Sequence, residues 1–567
     1  MLFAKPETVG IVMLIRLLLS LWIAAQAIPA QTAQVTGQGG GIGALVQEIE
    51  AQPLPGTRVE REEAMLDTIY AATGPRLLWS EHQQLSTQAR QLLDILKSSE
   101  SYGLRPSDYG VDALLASELQ LPGGSAVTDW ERFDVRMSRA AIRLITHLHF
   151  GRIDPRAAGF ELAQARDAFD VAATVAAIAS TQDVADALTA LEPDFVHYRL
   201  LKTALARYRA LAADPALTQL PSFGKRTLHA NDAYAGAAAL RRLLAATGDL
   251  NPTTTSGTPS DPTLDASLVD ALRHYQDRNG LPADGALGAQ TYQALTMPLA
   301  QRVRQIELTL ERWRWLPPFD TPPIIVNIPQ FRLYAFPTTQ DRILNGLQMP
   351  VIVGQTYPRT RTPVFIGDLR YVVFRPYWDV PRSIVLREML PQIRANADFL
   401  QRNNLELVDG QSDAGTVVAP TPMSIAALAA GRVRLRQRPG DDNALGLIKF
   451  VFPNAHNVYM HGTPAQRLFL QSRRAFSHGC IRVNDPVALA RYVLRNTGED
   501  WDDARISAAM HASAPLRVEL RQPIRVMILY GTALATEAGA TDFFDDIYGH
   551  DRKLETLLGL SAVVPAQ

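Results

Sequence analysis

The chain holds one cysteine, Cys480, in the run Ser477-His478-Gly479-Cys480-Ile481-Arg482. A thiol attacks an acyl carbon as the thiolate, so a working cysteine needs a base or a cationic partner within reach. His461 closes the alternating stretch Val458-Tyr459-Met460 and precedes Gly462, where the chain can turn. Ser477 follows His461 by sixteen positions, enough for a loop that returns a strand end to face the thiol. His478 stands two positions before Cys480, on the same side of an extended segment, where it can support the site. The amides of Gly479 and Cys480 are candidates for stabilising an oxyanion. Arg482, two positions further on, is placed to hold a carboxylate. Asn484-Asp485-Pro486 then supplies an N-cap and a first-turn proline for a helix running to about Asn496. Cys480 therefore lies just upstream of a helix N-terminus, whose partial positive charge favours a thiolate.

Three other readings compete. A lone cysteine is ordinarily a small buried hydrophobe, but here glycines and two histidines crowd around it. His456, His461, His478 and Cys480 could be taken for metal ligands, yet the spacing H-x4-H is not that of a helical pair and no acidic ligand lies close. A papain-type peptidase places its cysteine first and its histidine well over a hundred residues later, whereas only His511 and His550 follow Cys480. With one thiol there is no intramolecular disulfide, thiolate zinc cage or iron–sulfur cluster, and no cofactor or metal is expected.

The elements that must position these residues are spread over 567 residues, of which 47% are hydrophobic. Length predicts several domains, and a formal net charge of −1 argues against a broad electrostatic hold on nucleic acid. Lys5 and Arg16 precede the apolar run Leu17–Ala25, and Ala25-Gln26-Ala27 offers a small-x-small cleavage site. This order is that of a signal peptide over residues 1–27, tidier still if translation begins at Met13. The alternative is an uncleaved anchor over Val9–Ala25, the one route to a membrane. Residues 28–44 are expected to be a disordered leader.

From 45 to 227 the apolar spacing is helical, with Met137, Ala141, Leu144 and Leu148 on one stripe. His147 and His149 at its end are expected to be structural, since residues two apart on a helix point to different sides. Residues 228–297 predict a small three-helix unit and 298–321 a connecting helix. From 322 to 560 short strands between Pro/Gly turns predict a mainly β domain. A helical, Arg-rich insertion over 386–443 forms a cap. The fold class expected is α+β, multidomain.

These residues carry a resemblance. "HGT" followed by "SHGCIRV" is similar to the signature of L,D-transpeptidases of the YkuD-type fold. "RPYWDVPRSI" and "ERWRWLP" resemble the stretches leading into the cap and the catalytic domain of the large periplasmic members. "SYGLRPSDYG" and "HFGRIDP" resemble their helical scaffold. "LVDALRHYQDRNGLPADGALGAQTYQALT" resembles the peptidoglycan-binding module of cell-wall hydrolases. Together these cover roughly residues 60–560.

The resemblance implies Cys480 as nucleophile and His461 as general base, its ring oriented by the Gly462 carbonyl. It implies an oxyanion site lined by His478, Gly479 and the Cys480 amide. Tyr459, Trp378, Arg482 and Ser477 would contact the peptide stem or shape its pocket. Many relatives carry Asn where Arg482 stands, and a Trp on a strand, such as Trp378, is commonly core. The implied activity is periplasmic 3→3 cross-linking of peptidoglycan stem peptides. Hydrolysis of the same acyl-enzyme, attachment of a protein to peptidoglycan, or wall binding without turnover are the alternatives.

Overall fold

The computed structural model describes residues 59–560 apart from 74–75, 122–125, 163–168, 251–260, 337–345, 358–359, 397 and 411–414. The signal segment, the leader and most of the polar linker at Thr253–Pro262 lie outside the described residues.

The N-terminal region is helical. Its centre is the helix Val127–Phe150, whose Phe133, Met137, Ile142, Leu144 and Leu148 sit in a core shared with Leu92, Leu93 and Leu96 of the helix Thr87–Lys97. That shorter helix starts on Ser86, whose side chain accepts the Ala89 amide. The core also contains polar groups: Asp134 accepts from the Tyr70 hydroxyl and the Trp79 amide, both at 2.7 Å. His147 is buried against the Tyr109 hydroxyl at 3.1 Å, and His149 bonds the Leu191 carbonyl at 3.1 Å. Both histidines are structural, as expected.

The next unit comprises the helices Ala237–Thr247, Ala266–Arg278 and Ala289–Leu295. Asp265 caps the second by accepting the Leu268 amide. The connecting helix follows as Leu299–Trp313. Its end is the junction of the molecule. Glu311, fully buried, accepts the Ile153 amide at 3.0 Å, so the motifs around Gly151 and Trp315 are parts of one joint. Gly151 has φ +77°, and a Cβ placed there would lie 2.6 Å from Trp315 Nε1 and 2.7 Å from Glu311 Oε1. Gly151→Ala should therefore cost about 2–4 kcal/mol, from left-handed backbone strain plus overpacking. Urea unfolding of the full chain checks this.

The C-terminal domain holds a closed sheet, a separate four-stranded sheet and, after them, a short hairpin of Ala533–Ala535 with Thr541–Phe543. Its strands are β1 (Ile324–Asn327), β2 (Arg332–Ala335), β3 (Leu347–Gly354), β4 (Phe365–Phe374), β5 (Trp378–Asp379), β6 (Leu405–Asp409), β7 (Thr416–Val418), β8 (Val433–Gln437), β9 (Ile448–Val451), β10 (Met460–His461), β11 (Ala475–Ser477), β12 (Ile481–Val483) and β13 (Leu516–Leu529). The order β11-β3-β12-β10-β9-β4-β13-β1-β2 closes because β2 also pairs with β3. Val326, Val351, Val372, Phe450, Met460, Ile481 and Ile528 fill the interior. Closure removes the open edges that a sheet otherwise presents. Strand β13 carries a register shift between Glu519 and Ile524. Pro523, which lacks an N–H, sits inside that irregularity.

The cap differs from expectation. It is mixed, not helical: β5, β8, β6 and β7 form a four-stranded sheet with its own core of Val380, Ile384, Leu390, Leu407, Leu428 and Leu435. It also begins at Trp378 rather than 386, because β5 pairs with β8. The apolar residues of β8 lie among arginines and those of β6 alternate over only three positions, which masked their period. The helical part includes one turn of π-helix, Val385–Met389.

Candidate active site

Two short parallel strands set the site. Met460 of β10 is registered with Ile481 of β12, and His461 with Arg482. The Ile481 amide continues the ladder to the Tyr459 carbonyl at 3.0 Å. Met460, Ile481 and Val483 point into the barrel and are fully buried. By the two-residue period, Tyr459, His461, Cys480 and Arg482 all occupy the opposite face. Lys449 of β9, registered with His461, joins them.

His461 is buried, and its Nδ1 lies 2.5 Å from the Gly462 carbonyl. A carbonyl only accepts, so Nδ1 carries the proton and Nε2 is left as the base. Burial, reinforced by the Arg482 and Lys449 charges, pushes the imidazole down to about 3. The ring is thus neutral at neutral pH.

Cys480 is half-buried, and burial raises its thiol above the ordinary range. Hydrogen bonds from Tyr459 and the charges of Lys449 and Arg482 pull the other way. Its Sγ also reaches the Asn457 carbonyl at 3.7 Å. Asn457 has φ +54°, a left-handed turn that asparagine tolerates. The Tyr459 hydroxyl lies beside Cys480 and Trp378, and burial together with the thiol's charge raises it well above its ordinary range. The resting pair is therefore thiol and imidazole, not thiolate and imidazolium. Iodoacetamide should alkylate Cys480 more slowly than free cysteine at pH 7, with the rate rising only above the ordinary thiol range. Intact mass against time at several pH values checks this.

The loop carrying the thiol is tightly held. The Ser477 hydroxyl donates to the Cys480 carbonyl at 2.5 Å and accepts the Gly479 amide at 3.1 Å. The Thr362 hydroxyl donates to the Gly479 carbonyl at 2.8 Å and accepts the Gly354 amide at 2.9 Å. The Tyr548 hydroxyl donates to the Gly354 carbonyl at 2.6 Å. Gly479 has φ +119°, a conformation that L side chains rarely adopt.

This geometry alters three expected roles. The Gly479 amide is engaged by Ser477, so the Cys480 amide alone remains as the oxyanion donor of that pair. Ser477 is buried and staples the loop rather than facing a substrate. His478 does not line the oxyanion position: its Nε2 pairs with Glu388 of the cap's π-turn at 2.7 Å. Trp378 is half-buried, packed against the cap core and beside Tyr459.

Lys449, Glu388, Thr362 and Tyr548 were not anticipated. Lys449 had a signal, the alternation Ile448-Lys449-Phe450 within a strand. The other three come from segments remote in sequence and had none. His456, offered above as a metal ligand, pairs with Glu161 at 3.0 Å. Among the described residues no group of three or more His, Cys, Asp or Glu is placed to hold a metal.

Comparison with known proteins agrees with this architecture. Residues 322–507 match the family described as "L,D-transpeptidase catalytic domain" (YkuD). Residues 64–205 match a "Scaffold domain" and 235–295 a "Putative peptidoglycan binding domain". A protein of Haemophilus influenzae (strain ATCC 51907 / DSM 11121 / KW20 / Rd) named "Putative L,D-transpeptidase" is 31% identical over 280 residues. The aligned part is 48% of this chain and 54% of that relative, so only about half of either protein is compared. The chain thus carries an L,D-transpeptidase catalytic domain of the YkuD family, joined to a scaffold domain and a peptidoglycan-binding-type domain.

Proposed function

We propose that this protein is an exported, periplasmic L,D-transpeptidase that forms 3→3 cross-links in peptidoglycan through a thioester on Cys480. The observation that carries the reading is the shared sheet face of Cys480 and His461, with Nδ1 fixed on Gly462 and Nε2 left as base. A tetrapeptide stem presents the carbonyl of its L-centre of diaminopimelate to Sγ. Nε2 takes the thiol proton as the S–C bond forms, and the oxyanion meets the Cys480 amide. The C–N bond to D-Ala breaks as His461 returns the proton to the leaving amine. The side-chain amine of a second diaminopimelate then attacks the thioester, losing its proton to His461, and the thiol is restored.

Arg482 and Lys449 flank the base and suit the carboxylates of the stem. Trp378 and the cap cover the thiol and limit water, which decides between transfer and hydrolysis. Incubation with a defined tetrapeptide followed by intact mass should show a tripeptide acyl adduct on Cys480. Addition of an acceptor stem should convert it to a cross-linked product. Free tripeptide alone would make the protein an L,D-carboxypeptidase, and no adduct would overturn the reading.

A further inference from the structure

A cavity of about 690 Å³ opens where three units meet. One wall is the turn after the helix Ala266–Arg278, including Asp277 and Leu281. The floor is the β1–β2 turn with Arg332 and Tyr334, and the far wall is the segment Leu534–Ile547. The loop Leu470–Arg474 forms the rim. A volume of 300–1,000 Å³ at a domain junction is typical of a small-molecule site.

Some of its charged groups lack a charged partner. Arg473 is exposed and has no hydrogen bond or ion pair among the described residues. Arg332 bonds only the neutral Gln348 side chain, at 3.3 Å. Asp542, half-buried, likewise has no hydrogen bond or ion pair among the described residues; burial pushes its carboxyl up to about 6, against the nearby charges of Arg278 and Arg332. Leu470 stands 86% exposed beside them. A concave site with two guanidinium groups that have no carboxylate partner, three carboxyls (Asp277, Asp542 and Asp545) with no hydrogen bond or ion pair among the described residues, and an apolar rim suits a ligand bearing both carboxylate and amine.

The cavity also connects to the catalytic loop. Arg474 in its wall donates to the carbonyls of Gln471, Phe331 and Val351, at 2.6, 3.1 and 3.3 Å. It directly precedes β11, which leads into Ser477–Cys480.

We propose that this cavity binds a zwitterionic peptide stem on a peptidoglycan strand other than the one held at Cys480. The carboxylate of the stem would meet Arg332 and Arg473, and its amine Asp542. The naming of peptidoglycan rests on the function proposed above. All three contacts come from the C-terminal domain, while the turn with Asp277 and Leu281 closes one wall.

The test uses the full chain with purified sacculi and, separately, a soluble disaccharide tetrapeptide. In co-sedimentation, Arg332→Ser/Arg473→Ser and Asp542→Asn should each weaken sacculus binding at least fivefold. Acylation of Cys480 by soluble tetrapeptide should stay at the unsubstituted rate. Unchanged sacculus binding by both variants would overturn the proposal, as would an equal loss of acylation, which marks damage to the fold. In the unsubstituted chain, the soluble probe should protect residues 470–474 and 540–545 from hydrogen exchange. Absence of that protection would also overturn it. Failure of acylation with protection intact would instead strike the catalytic reading and leave the cavity's ligand standing.

Discussion

Cys480→Ala should abolish the acyl adduct completely, with no shift of intact mass after prolonged incubation with a tetrapeptide donor. The expectation is absolute because no second thiol can substitute. A serine hydroxyl is no replacement either: Ser477 is buried with its oxygen bonded to the Cys480 carbonyl and the Gly479 amide. The substitution should leave the fold intact. The loop is held by Ser477, Thr362 and Tyr548, none of which bonds Sγ. Urea unfolding should therefore give the unsubstituted stability to within about 1 kcal/mol, as removal of one half-buried small group implies. Cross-linking by the purified alanine variant would refute covalent catalysis outright.

His461→Gln should slow acylation by about 10²–10⁴-fold, the usual contribution of a positioned base. Glutamine can still donate to the Gly462 carbonyl, so the loss reports the missing base rather than a loosened turn. A second readout separates chemistry from structure. In the folded chain His461 stays neutral down to about pH 3, whereas an unfolded imidazole takes a proton near 6.5. Below about 6.5 the unfolded chain then binds more protons than the folded one, and stability falls as pH drops towards 3. Each pH unit in that window costs up to about 1.4 kcal/mol for one such group. His550, also pushed down to about 3 by burial, adds a similar slope. The glutamine variant should lose stability less steeply between pH 6 and 4, as measured by urea midpoints. An unchanged slope would mean that His461 is not the buried neutral base described.

The residues that do the chemistry were legible because their signals are local. Cys480, His461 and Arg482 lie on two strands whose alternation is visible, and Asp485-Pro486 marks the helix that follows; the Asp485 side chain does accept the Ala488 amide, at 2.9 Å. The supports were not legible for the opposite reason. Thr362 and Tyr548 reach the Gly479 loop across 117 and 194 residues, counted to Gly479 and Gly354 respectively. No periodicity encodes such a meeting. The roles of Gly479, Ser477 and His478 turned on side chains competing for one amide and one carboxylate, which type and spacing do not rank. The cap was misread because β6 and β8 are only five residues long each and Arg434 and Arg436 interrupt the second, so neither period dominates.

The joint at Glu311 has a consequence for engineering. A single apolar cluster runs from Tyr198 and Leu205 through Leu240, Leu272 and Trp313 to Met527, Leu529 and Phe543. The three sequence families that divide this chain therefore meet inside one interior. A catalytic fragment cut at residue 322 would leave behind Trp313 and Trp315 and expose Met527 and Leu529 to water. Transplanting the barrel, or exchanging the module for a foreign one, requires a redesigned seam, because the boundary between families is not a boundary in the packing.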